Sequence, residues 1–269
     1  MKTETPNVSV TTDVYSALGT AAWARRTNGV MSPEDKEVIS RQNTEMRRQE
    51  KLAIDAIKAG SANLLDFDVE NLVIPDSAMA KAAEEYAQDV YSTPLNLHCL
   101  RTYAWGSLVG HVEGLSPDPE LMYVSAVLHD LGLTEPHIHE APRCCFAVVG
   151  AREAKKFVSE NGWEEFRAEK VYDIVSLHLN SDISASDHGP EARLVGAGAH
   201  FDVFGRHYHR LSVSTIDNVL KAYPREGFLD DLFAHVGKAE HHADSRNNFL
   251  LTTDIRDEGV ENPLDLHHT

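Results

Sequence analysis

The stretch Ala126-Val127-Leu128-His129-Asp130-Leu131-Gly132-Leu133 sets an imidazole beside a carboxylate inside an apolar run. Leu121, Val124, Leu128 and Leu131 repeat with helical period, Asp118-Pro119-Glu120 carries helix-start signals, and Gly132 carries a stop. The pair is therefore predicted in the last turn of a buried helix. Both groups are costly there unless something compensates them. A divalent cation would, because imidazole nitrogen and carboxylate oxygen are both ligand types. Two ligands rarely hold a metal alone, so the others must come from elsewhere in the chain.

Upstream, Leu97, Leu100, Ala104 and Leu108 form one helical stripe, and His98, Arg101 and Trp105 form its neighbour. Downstream, Val195, Ala199 and Asp202 share a helix face, so Asp202 points with apolar residues. His98, His129, Asp130 and Asp202 are thus the candidate ligands. Arg101 is a candidate for supporting them or for lining a pocket.

The same reading organises the rest of the chain. Ser32-Pro33-Glu34-Asp35 starts a long helix running to about Ala59 and stopped by Gly60. Its polar first half suits a surface or a subunit contact, and a homo-oligomer is expected. Further helices are predicted around Tyr15–Arg25, from Asp76 or Ser77 to a break at Pro94, over 95–111, 144–160, 165–179, 191–204, 214–223 and 228–243. Residues 134–143 and 180–190 read as loops, and the acidic tail beyond 243 as loose. No strand-type alternation occurs. The expectation is an all-α protein of nine or ten helices: residues 1–65 an N-terminal arm and helix, 66–243 one helical domain, 244–269 a tail.

Bulk properties narrow the partners. A net charge of −17 argues against nucleic acid or an anionic membrane. No apolar run approaches the ~20 residues that span a bilayer. Three cysteines, Cys99, Cys144 and Cys145, form no disulfide framework, which fits a reducing cytoplasm. The paired histidines His241–His242 and His267–His268 do not face one ligand well.

The order His98…His129-Asp130…Asp202 resembles the HD-domain metallohydrolase superfamily. The segments Phe67–Pro75, Leu97–Gly106, Leu128–Thr134, Phe146–Ala151, Leu177–His178, Asp202–Gly205 and Ala222–Phe228 resemble its cyanamide-hydratase-like branch, over about residues 66–240. The resemblance implies an HD-type helical bundle, here with an added N-terminal helical extension. It implies a divalent metal, Zn²⁺ first with Fe²⁺ or Mn²⁺ as alternatives, held by His98, His129, Asp130 and Asp202. His178 would move a proton, with Thr134 and Arg143 beside it, and Arg101, His137, His139 and Cys145 would line the substrate pocket. Leu97 stands where the hydratases carry asparagine, and Cys145 where they carry serine.

The implied activity is addition of metal-activated water to a small nitrogen-containing substrate, cyanamide-, nitrile- or amide-like. Three alternatives remain open. A phosphohydrolase would use Arg101, Arg143 or Arg193 to hold phosphate. A di-iron oxygenase would draw further ligands from His137, His139, His178 or His188. A metal-free binding protein would retain the fold alone.

Overall fold

The computed structural model describes residues 17–238, 240–253 and 262–266. Among them are twelve α-helices and no strand; only two isolated bridges occur, Val30 with Ser245 and Leu65 with Leu211. The helices are α1 (Ala21–Thr27), α2 (Pro33–Lys58), α3 (Ala78–Val90), α4 (Thr93–Glu113), α5 (Pro119–Leu128), α6 (Phe146–Glu160), α7 (Glu165–Leu177), α8 (Ala185–His188), α9 (Pro190–Phe204), α10 (Val213–Ala222), α11 (Phe228–Lys238) and α12 (Arg246–Thr253). No helix is long and apolar enough to cross a membrane, among the described residues.

Local signals set the boundaries. Ser32 caps α2 in a reciprocal box: its hydroxyl accepts from the Asp35 amide, and the Asp35 carboxylate accepts from the Ser32 amide. Ser77 and Ser92 cap α3 and α4, while Gly114 and Gly205 end α4 and α9 in the left-handed region. Tyr15, where the first helix was expected to begin, lies outside the described residues, as do His267 and His268.

Three expectations are corrected. The α5 helix stops at Leu128. His129 caps it, Asp130 turns out at φ −102°, and a 3₁₀ turn follows over Leu131–Leu133. Two further helices, α8 and α12, raise the count above ten. Nor is the segment after 243 loose where it is described: α12 packs on the core, with Arg246 wholly buried, and Leu264 is buried beyond it.

The site depends on how closely α4 and α9 approach. Gly106 and Gly198 lie at their crossing, and a Cβ on Gly198 would stand 2.0 Å from the Thr102 carbonyl oxygen. No real contact is that short, so only glycine fits. This approach brings His98 on α4 to Asp202 on α9. Gly198→Ala is expected to cost about 1–3 kcal/mol or more, as overpacking does. A urea midpoint equal to that of the parent would contradict it.

The HD turn is fixed in the same way from its other side. A Cβ on Gly132 would stand 2.0 Å from the Phe146 carbonyl oxygen, so α6 rests directly against the backbone that follows Asp130.

Candidate metal centre

Four titratable side chains from three places in the chain meet in the core. His98 comes from α4, His129 and Asp130 from the end of α5, and His178 from the end of α7. All four are buried. Asp130 Oδ2 lies 3.3 Å from His129 Nε2 and 3.5 Å from His98 Nε2, and Asp130 Oδ1 lies 3.8 Å from His178 Nε2. One ligand atom each from His98, His129 and Asp130 falls within 4.8 Å of the others, a spacing that one ion can bridge.

The hydrogen bonds behind the rings set the tautomers. His129 Nδ1 lies 2.7 Å from the Ala126 carbonyl, and His178 Nδ1 lies 2.6 Å from the Val175 carbonyl. A carbonyl only accepts, so each Nδ1 carries the proton and each Nε2 keeps its lone pair. His98 Nδ1 lies 2.7 Å from Asp202 Oδ2 with the same consequence. The Nε2 lone pairs of His98 and His129 and the Asp130 carboxylate therefore surround one point in the core, with the His178 Nε2 lone pair beside Asp130. Without a cation their convergence would be repulsive and unsolvated. With a divalent cation it is a ligand set, each imidazole held by an outer partner. The residues fit the ion.

Protonation agrees with ligand duty. Burial, against the opposing Asp130 charge and with help from the His98 ring, holds His129 below the ordinary histidine range. Burial and His129 push His178 well below it. Both stay neutral at physiological pH, the state in which His129 binds metal and His178 keeps a free Nε2 lone pair.

Asp202 does not join this group. Its carboxylate accepts from Arg101 Nε at 2.8 Å, Arg101 Nη2 at 2.9 Å, Trp105 Nε1 at 3.0 Å and His98 Nδ1. Every direction it offers is filled, and it reaches the centre through the His98 ring. Expected as a ligand, Asp202 stands in this geometry behind the His98 ring. Burial alone would raise its pKa; the Arg101 charge and the His98 bond more than offset that, so it stays ionised. Phe228 stacks on the other face of His98 at 4.5 Å between ring centres.

Residues 97–211 match the family model of the HD domain. The match spans every residue of the cluster together with Arg101 and Asp202. HD domains are in general metal-dependent hydrolases, and the buried His98–His129–Asp130 cluster within the matched region has the spacing of a metal site. No curated protein matches the chain.

A chamber of about 60 Å³ adjoins the cluster. One water occupies roughly 10–15 Å³ on this measure, so a ligand of a few heavy atoms fits. Its floor is His98, His129, Asp130 and His178, and most of its wall is apolar, including Phe146 from α6 and Val203 and Phe204 from α9. Leu232, Phe233 and Val236 of α11 and Leu250 of α12 close it from outside the HD domain match. His200 and Asn247 are its remaining polar wall.

Several expected pocket residues lie elsewhere. Thr134 is buried but its hydroxyl donates to the Leu131 carbonyl, tying the turn rather than facing the chamber. Arg143 is exposed. Arg101 is consumed by Asp202 and by the Pro224 carbonyl at 2.6 Å. On the loop after the HD pair His139 is exposed and His137 half-buried, where His137 neighbours Glu140 and Glu153, two acids already bridged by Arg152. Cys145 is buried against Gly29, outside the chamber wall. Burial pushes the neighbouring Cys144 thiol up to about 12, so it is no nucleophile.

Arg193 pairs with Glu113 at 2.7 Å and lines a second cavity of about 260 Å³ together with Glu50, Arg206 and His207. His188 lies half-buried on α8 and lines neither cavity. His241 and His242 are engaged locally, with Val236 and Asp244.

His200 went unnoticed in the sequence although it stands two residues before Asp202. It lines both cavities, and its Nδ1 accepts from Arg206 Nη1 at 3.0 Å, since a guanidinium only donates. Its proton therefore sits on Nε2, the tautomer opposite to that of the three cluster histidines.

Burial, then Arg206, push the pKa of His200 well down; burial, then Arg193, hold that of His207 at about 3. Above about pH 6.5 each is neutral folded or unfolded and has no effect on stability. Below it the unfolded chain takes protons that the folded chain refuses. Stability then falls by roughly 1.4 kcal/mol per pH unit and per histidine. For His207 the loss continues down to about pH 3. Urea midpoints are expected to drop steadily from pH 7 to pH 4, and His207→Asn to flatten the slope; an unchanged slope would contradict the assignment.

Proposed function

We propose that this chain is a metal-dependent hydratase or hydrolase for a small, uncharged substrate bearing a C≡N or C=O group. The observation that carries this reading is the chamber wall. Among the described residues no lysine or arginine lines it, and its only carboxylate is Asp130 on the floor. A phosphate ester would bring charge into an apolar cavity with no fixed cation to receive it. Of the three arginines considered for phosphate, Arg101 and Arg193 are engaged in ion pairs and Arg143 is exposed, and none lines the chamber. Zn²⁺ suits the histidine-rich set best, with Fe²⁺ and Mn²⁺ also accepted by it.

The bound cation supplies water of lowered pKa and polarises the substrate. The chain's own residues do the rest. His98, His129 and Asp130 fix the floor. His178, with Nε2 free and beside Asp130, accepts a proton from the attacking water. The water oxygen bonds to the substrate carbon, and His178 returns the proton to the substrate nitrogen. For a nitrile the product is an amide. For an amide the same return releases an amine and leaves a carboxylic acid. The low basicity of His178 favours that return.

Metal-loaded protein should turn over members of a panel of cyanamide, small nitriles, small amides and ureas. Phosphate release from nucleotides with no turnover of neutral substrates would establish the phosphohydrolase instead. More than one metal per chain would revive the di-iron reading.

A further inference from the structure

Asn247 lies on α12, beyond the residues that match the HD domain. Its side chain lines the chamber, is about 4% exposed, and has an Nδ2 buried with no hydrogen-bond partner. An unpaired buried amide is a standing cost unless a ligand meets it. Nothing else in the apolar part of the wall needs it.

Its position is held firmly. The neighbouring Arg246 is wholly buried, donates to Asn180 Oδ1 at 2.7 Å and to the Ser176 carbonyl, and lies over the Trp23 ring. Ser176 stands two residues before His178. The residue that pins α12 is therefore tied to the end of α7, which also carries His178. Asn247 and the floor of the chamber share one rigid frame.

We infer that Asn247 is a substrate-binding residue: its amide donates to the acceptor atom of a small neutral carbonyl or nitrile compound whose reacting carbon lies over the His98–His129–Asp130 floor. This deepens the proposed function and rests on it. As water adds to the substrate carbon, negative charge grows on the substrate oxygen or nitrogen. A preplaced N–H in a dry chamber answers that charge. His200, with its proton on Nε2, is the other uncharged donor in the wall. The floor offers acceptors and lone pairs; these two residues supply the complementary donors.

A structural asparagine and a binding asparagine predict opposite results. Asn247→Leu keeps the volume and removes the amide. It should leave metal content at the wild-type level and hold Tm constant or raise it by about 2–4 °C, because an unpaired polar group is gone. Acetamide binding, followed by saturation-transfer NMR on its methyl group, should weaken about tenfold. Asn247→Asp, which replaces a donor with an acceptor, should weaken it at least as much.

Wild-type acetamide binding in Asn247→Leu, tighter binding in Asn247→Asp, or a fall in Tm together with loss of metal in Asn247→Leu would each overturn the inference. If the wild-type protein takes up no divalent metal, the proposed function fails by itself. The acetamide titration on metal-free wild-type and Asn247→Leu proteins then still decides the role of Asn247.

Discussion

Protein carrying His129→Ala is expected to emerge from gel filtration without its divalent metal, its affinity reduced by more than about 100-fold. Asp202→Asn is expected to retain metal with affinity lowered about 10–100-fold, the usual effect of removing an outer partner. The two differ because of where each side chain stands. His129 Nε2 faces the centre, while Asp202 Oδ2 faces His98 Nδ1 with the imidazole between it and the ion. Asparagine at 202 can still accept from His98 Nδ1 through its carbonyl, so the ring keeps its tautomer while losing the charge behind it. Elemental analysis gives the metal count, and chelator competition gives the affinity. Equal, near-complete loss in both variants would put the Asp202 carboxylate on the metal and remove it from the supporting role.

Much of this was legible in the residues, for identifiable reasons. Helix ends could be read because caps act within a few residues: Ser32-Pro33, Ser77 and Asp118-Pro119 fall at boundaries. The stripe His98, Arg101, Trp105 was visible as spacing, and those three side chains are the ones that converge on Asp202. What spacing could not say is which partner Asp202 serves. A carboxylate facing a metal and one facing a histidine leave the same mark in sequence.

The outer wall was illegible for a different reason. Arg246 and Asn247 are polar residues in a polar stretch, and burial of such residues depends on partners contributed from Ser176, Asn180 and Trp23, far away in the chain. His200 was hidden by its company: next to a stronger candidate, a histidine on a core helix reads as packing. The loop from Thr134 to Arg143 drew attention through its histidines, yet the chamber is closed by α11 and α12.

Arg101→Met is expected to destabilise the metal-free protein by about 3–5 kcal/mol, the range for breaking a buried ion pair by removing one partner. Arg101 and Asp202 are both fully buried, and two of the guanidinium nitrogens bind the carboxylate while a third binds the Pro224 carbonyl. Without the guanidinium, Asp202 keeps His98 and Trp105, with Arg225 Nε 3.7 Å away. Those leave a charge in the core with too little to hold it, so the carboxyl pKa rises and the His98 bond weakens with it. Metal affinity should fall alongside stability.

The double variant Arg101→Met with Asp202→Leu separates the two effects. With both charges gone the fold should regain much of the lost stability, because an apolar pair can replace a buried ion pair at little cost. Metal affinity should stay low, because His98 has lost its outer acceptor. Urea denaturation of the metal-free proteins gives the first quantity and chelator competition the second. If the double variant recovered metal binding along with stability, the Arg101–Asp202 pair would be scaffolding alone. If it recovered neither, the pair would be required to form the α4–α9 crossing itself.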